Sequence, residues 1–209
     1  MTAILTGDII NSRSEPKTTW LQELKSSLNK YGESPKEWEI YRGDSFQLEV
    51  KPEEALEAAL LLKATIKQYK KLDVRIAIGL GEKSYNTEKI TEANGSAFIN
   101  SGECFDQLKK TTLAIKTPYF DNFEIDQRLN FVFQLGAHIF DNWTSVSAFC
   151  IKLALENPTD RQVVLAEKAN QLSQQYKLDQ SGISRGLQRG GYDDILKIIA
   201  FYKKTIEYL

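Results

Sequence analysis

Apolar residues recur along this chain with two different periods, and the switches between them mark its elements. From Tyr41 to Val50 (YRGDSFQLEV), Phe46, Leu48 and Val50 alternate with Gln47 and Glu49, the pattern of a strand with one buried face. Trp38 and Ile40 alternate with Glu39 and Tyr41 just upstream, and Gly43-Asp44 between the two runs predicts a two-residue hairpin turn. AILTGDII near the start is apolar on both faces, which predicts a central strand. DVRIAIGLGE places Val74, Ile76, Ile78 and Leu80 on one side of another strand, and TTLAIKT predicts a last one. Between these runs the period lengthens to that of a helix. Trp20, Leu24, Leu28 and Tyr31 share one face after Pro16, which suits a first helical position. Leu56, Leu60, Leu62, Ile66 and Tyr69 follow Pro52, with Glu53 and Glu54 in the first turn and Lys67, Lys70 and Lys71 near the end, a charge order that complements the helix dipole. Phe98, Gly102, Phe105 and Leu108 are spaced for a third helix.

The resulting order is βαββαβαβ, whose first six elements predict a ferredoxin-like unit and an α+β fold class. Beyond it the pattern is helical. Leu129, Val132, Phe133, Leu135 and Ile139 suit a connecting helix over 121–142, and Ser147 to Glu156 predicts a short amphipathic helix. Thr159 is the expected N-cap of a helix through RQVVLAEKANQLSQQY, and Asp193 to Leu209 predicts a last helix whose apolar residues cover more than one face. The predicted organisation is a ferredoxin-like domain over 1–120, a connecting helix over 121–143 and a helix-turn-helix domain over 144–209.

Composition narrows the chemistry. The 209 residues carry a net charge of −1, so no global basic field points to nucleic acid or anionic membrane. The single histidine, His138, lies in an apolar run, which sets aside Ser-His-Asp and histidine-rich metal mechanisms. Cys104 and Cys150 are far apart in apolar helical patterns and read as inert core thiols. No run approaches the ~20 apolar residues of a membrane span, and the N-terminus lacks the features of a leader, so a cytoplasmic location is expected.

In a sheet of the predicted order, the end of the first strand meets the start of the strand after the hairpin. Asp8 lies near the first and Asp44 at the second, which makes Asp8 the expected partner of Asp44. Two carboxylates held close repel unless a proton or cation joins them. Mg²⁺ takes one or two carboxylates plus waters and phosphates, which this edge would offer. The backbone after Asp8, with Ser12 and Arg13, leads toward a helix and would face a phosphate. The plainer alternative makes Asp44 a turn residue and Asp8 a strand-end cap.

LTGDIINSR, YRGDSFQ, ALEAALLLKATI, DVRIAIGLGE and EANGSAFINSGECFDQL together resemble the SatD family, bacterial proteins that pair an N-terminal module with a C-terminal helix-turn-helix. That module is similar to the palm-type fold of class III nucleotidyl cyclases and GGDEF diguanylate cyclases. The resemblance implies Asp8 and Asp44 as metal ligands for Mg²⁺. It also matches Gly43 to the glycine of the cyclase hairpin and sets Asn100 at the position of a nucleotide-positioning asparagine. Beside these, the residues themselves offer Asn11, Ser12 and Arg13 as the expected phosphate-facing segment, while Arg42 would either serve a phosphate or neutralise Asp44. The chain departs from those patterns where it matters for catalysis. Cys104 stands where class III cyclases carry a transition-state arginine, and Ser45 where GGDEF proteins carry a second acid. Without that cation, phosphoryl-type transfer loses much of its charge stabilisation while binding survives.

In DQSGISRGLQRGG, Ile183 and Leu187 point one way and Ser181, Ser184, Arg185 and Gln188 the other, with Arg189 beside them. Such a face suits a helix in a DNA major groove. QSGISRGLQRGGY also resembles the recognition helices of bacterial helix-turn-helix regulators. From Thr144 onward nine Lys/Arg face seven Asp/Glu, so DNA affinity is expected to be modest and salt-sensitive. The expectation is a homodimeric regulator that binds DNA and senses a Mg²⁺-nucleotide. The rival is an active nucleotidyl cyclase or nucleotidyltransferase whose helical part only dimerises.

Overall fold

The computed structural model describes residues 1–118, 123–173 and 176–207. Its elements are β1 (Thr2–Ile10), α1 (Lys17–Leu28), β2 (Trp38–Tyr41), β3 (Ser45–Val50), α2 (Ala55–Lys67), β4 (Asp73–Gly81), α3 (Ser96–Gln107), β5 (Leu113–Lys116), α4 (Phe123–Phe140), α5 (Ser145–Glu156), α6 (Gln162–Leu172), α7 (Gln180–Arg189) and α8 (Tyr192–Ile206). The fold is α+β: a five-stranded mixed sheet with eight α-helices among the described residues. The strand order is β2-β3-β1-β4-β5; the first four pair antiparallel, and β5 joins β4 in parallel. β1 therefore lies inside the sheet, as its two apolar faces require.

Alternation sorts the sheet into two faces. Leu5, Ile9, Phe46, Leu48, Val74, Ile76 and Ile78 join Trp20, Leu24 and Leu28 of α1 and most of α2 in one core. The other face carries Thr6, Asp8 and Arg75 and packs against α3. α3 turns Ala97, Asn100, Ser101 and Cys104 inward; of the expected face Leu108 is buried as well, while Phe98 and Phe105 pack half-buried at its flank, which is a partial rotation. The cause is close approach: a Cβ on Gly79 would lie 2.2 Å from the Ser101 backbone nitrogen, so only small residues fit between helix and strand.

α2 is the hub. From Ala55 to Ile66 only Glu57 escapes burial, because the sheet covers one side of α2 and α5 the other. Each of its fully buried leucines contributes about 1.5–3 kcal/mol. The core continues without a break through Phe149, Cys150 and Ile151 of α5 to Ile183 and Leu187 of α7 and Ile195 and Ile199 of α8. Lys63, 2% exposed, anchors α2 by polar contact as well. Its ammonium lies 2.7 Å from both Asp73 and Asp141 and donates to Thr112 (3.0 Å), while Lys67 donates to the Asp141 carbonyl (2.6 Å). At the sheet edge, the Asn130 amide accepts from the Ile115 N–H (2.9 Å) and donates to its carbonyl (2.8 Å), so α4 closes off β5.

Several boundaries differ from expectation. The hairpin loop has three residues, Arg42 to Asp44, because Tyr41 pairs with Ser45; Arg42 (φ 52°) and Gly43 (φ 91°) supply the left-handed backbone. Pro16 precedes α1 rather than opening it, and α6 begins after Arg161, not Thr159. The expected starts at 121–122, the stretch at 174–175 and the end at 208–209 lie outside the described residues.

Candidate functional site

The corner where β1 leaves the sheet gathers most of the expected N-terminal residues. Antiparallel register sets Asp8 opposite Ser45 on one side and Arg75 on the other. The Arg75 guanidinium meets Asp8 side-on, Nε to Oδ1 at 3.0 Å and Nη2 to Oδ2 at 2.6 Å. It also lies over the Phe105 ring, 5.4 Å from the centroid, and the Asp8 hydrogen bonds raise its pKa. Asp44 answers to Ser12, whose buried hydroxyl donates to Oδ2 at 2.6 Å, while the Asp44 carbonyl accepts from the Ile9 N–H. Asp8 and Asp44 thus lie at one corner, each with a hydrogen-bond partner of its own.

Around this pair lies unneutralised positive charge. Arg13 and Arg42 are exposed, and no carboxylate among the described residues pairs with them or with Lys17. The Lys17 ammonium lies 2.6 Å from where a Cβ on Gly43 would sit, so the glycine leaves the hairpin tip open to it. Asn11 adopts a left-handed backbone (φ 60°) that turns the chain into the single 3₁₀ turn Ser12–Ser14, and its amide donates to the Lys71 carbonyl at 3.3 Å. Nearby, burial raises the Tyr41 phenol, with Asp8 adding to the rise and Arg42 opposing it.

Asp8 and Asp44 are the two carboxylates that would hold Mg²⁺ at this corner, with waters and phosphate completing its shell. Both Asp8 oxygens accept from Arg75, and no group of three or more His, Cys, Asp or Glu side chains among the described residues is arranged to hold a metal. Asn100 is not part of the corner. Its amide is buried and donates to the Leu80 carbonyl (2.8 Å), five residues along β4 from Arg75, which is about 17 Å of strand.

Sequence reasoning overlooked Arg75 as the partner of Asp8, and Lys17. A signal for Arg75 existed, because alternation puts it opposite Val74 and Ile76 and puts Asp8 opposite Ile9. The pairing itself needed the β1–β4 register.

The second candidate surface is α7. Asp179 caps it by accepting from the Gly182 N–H (2.7 Å) and from Ser181 (2.9 Å); these bonds lower the Asp179 pKa. Ile183, Gly186 and Leu187 are buried, while Ser181, Ser184, Arg185, Gln188 and Arg189 are all exposed. Gly186 lets α7 lie against α5, since a Cβ there would meet Cys150 Sγ at 2.3 Å. Asp193 and Asp194 share a groove with Ser184 and Gln188, and Lys197 pairs with Asp194 at 2.9 Å. Burial pushes the Cys104 thiol up to about 12 and the Cys150 thiol to about 11, so neither is a reactive nucleophile.

No helix among the described residues is long and apolar enough to cross a membrane. Comparison with family models, curated proteins and solved structures gives no match for this chain.

Proposed function

We propose that this protein is a DNA-binding regulator that reads duplex DNA through α7 and senses a phosphate-bearing ligand at the β1–hairpin corner. The observation that carries the reading is the division of α7 into a buried Ile183–Gly186–Leu187 side and an exposed Ser/Arg/Gln side. α5, α6 and α7 then act as a helix-turn-helix, with Arg185 and Arg189 supplying phosphate or guanine contacts. The resemblance to the SatD family supports the same reading. The antiparallel β2-β3-β1-β4 order supports a ferredoxin-like first unit.

At the corner, Arg13, Lys17 and Arg42 supply the cationic rim for phosphate. Asp8 and Asp44 would hold the Mg²⁺ of a bound nucleotide there, and Arg75, which pairs with Asp8, would offer its charge to phosphate. Exposed Phe131 and Leu135 on α4 and Leu196 and Phe201 on α8 support a homodimer, which would place two α7 helices on paired half-sites.

Selection of random duplexes on the purified protein tests the reading. Enrichment of a defined motif by wild type, lost with Arg185→Ala at unchanged thermal midpoint, supports it. Recovery of unenriched sequence from both proteins contradicts it.

A further inference from the structure

A cleft of about 500 Å³ opens between the sheet-bearing half and the C-terminal helices. Glu23 of α1 and Tyr69 and Lys70 just after α2 form one wall; Phe149 and Lys152 of α5 and Tyr176 before α7 form the other. This volume lies within the range of small-molecule sites, which occur preferentially where two structural units meet.

The lining is specific in character. Phe149 and Tyr176 contact each other with centroids 4.9 Å apart. The Tyr69 hydroxyl already donates to the Thr19 carbonyl (2.7 Å), so this tyrosine offers its ring rather than its polar tip. Lys152 is held between Glu23 (3.3 Å) and Glu156 (3.4 Å) and is neutralised. Two opposite charges in the lining remain without an ion pair among the described residues, Lys70 and Glu15. Aromatic walls prefer an aromatic guest in stacked or edge-on contact. One free cation and one free anion match a ligand carrying both a carboxylate and an ammonium.

We propose that this cleft binds a small aromatic zwitterion, an amino acid with an aryl side chain, as an effector. Tyr176 lies three residues before Asp179, the cap of α7, and the Asn170 amide clips the intervening Leu178 backbone through its N–H and carbonyl, both at 3.0 Å. A ligand seated on Tyr176 therefore bears on the anchoring of α7. This regulatory half rests on the DNA-binding reading; the binding site itself does not.

The test is calorimetric titration of the intact chain with L-phenylalanine and L-tyrosine, beside phenethylamine and 3-phenylpropionate, which each keep one charge. Saturable binding of the amino acids is expected, roughly tenfold or more weaker for each single-charge analogue. Tyr176→Phe should retain binding, whereas Tyr176→Leu and Lys70→Glu should lose it at unchanged thermal midpoint. No saturable binding by either amino acid overturns the site, as does binding indifferent to Tyr176→Leu and Lys70→Glu. DNA affinity is then measured with and without saturating L-phenylalanine. A change supports the effector role, and binding with unchanged DNA affinity overturns that role alone. Amino-acid binding by a chain that holds no DNA at any salt sinks the DNA reading and leaves the site standing.

Discussion

Arg75 grips Asp8 across neighbouring antiparallel strands with two parallel hydrogen bonds, 3.0 and 2.6 Å long. Both side chains are partly exposed, so solvent weakens the pair, but its bidentate geometry puts it above an ordinary surface ion pair. A double-mutant cycle on Asp8→Asn and Arg75→Gln, read by urea midpoint, should give a coupling of about 1 kcal/mol. Arg75→Lys should lose most of it, because an ammonium cannot supply the planar fork. Zero coupling would make the contact incidental.

Among the described residues, Lys63 is the charged side chain that burial covers most fully. Asp73 and Asp141 flank it at 2.7 Å each, and Thr112 completes its donors. Leaving a buried charge without its partner typically costs about 3–5 kcal/mol. The double variant Asp73→Ala/Asp141→Ala, which strips the buried ammonium of both counter-ions, should therefore lower the guanidinium midpoint far more than Lys63→Met, which removes the charge and keeps the volume. Equal losses for the two variants would refute this account of the cluster.

Gly186 sets how closely α7 approaches α5. Helix propensity alone would favour alanine there by about 1 kcal/mol. Contact at 2.3 Å with Cys150 Sγ opposes it, and both groups sit on packed helices. Overpacking should win, for a net loss of about 1–2 kcal/mol in Gly186→Ala. Cys150→Ala in the same chain should recover part of that loss, since the sulfur is the nearest atom. Stabilisation of the single variant would show that α7 is loosely seated.

Asp126 gives the fold a pH signature. Burial raises its pKa above the ordinary carboxylate value, against the hydrogen bonds from Thr117. A group whose folded pKa is raised gives its stability below the unfolded pKa and loses it as pH rises through the folded one. The charged carboxylate is therefore a liability at neutral pH. Asp126→Asn keeps an oxygen to accept from the Thr117 N–H (3.0 Å in the parent) and removes the charge. Its thermal midpoint should exceed the parent's at pH 7, and the gap should close below the ordinary carboxylate range. A gap that widens in acid would reverse the assignment.

Much of this was legible in particular residues. Alternation at Phe46, Leu48 and Val50 and at Val74, Ile76 and Ile78 gave strands and their buried face, because side-chain direction in a strand is a local property. The two faces of α7 followed equally from spacing, with Ile183 and Leu187 inside. Pairings between distant segments did not follow. The Asp8 partner depends on β1–β4 register, the α3 face on glycines in a neighbouring strand, and the burial of Lys63 on α4 arriving with Asp141. The hairpin loop gained a residue because Arg42 accepts a left-handed backbone that its identity does not advertise.

The most direct measurement is fluorescence anisotropy on a mixed-sequence duplex across a salt series, with wild type and the Arg185→Ala/Arg189→Ala pair. The account predicts binding that weakens with salt. The double variant should lose affinity and flatten the slope of log K against log salt by about 1.8, since each phosphate contact contributes about 0.9. Identical curves for the two proteins, or no binding by wild type at low salt, would contradict α7 as the DNA-reading helix.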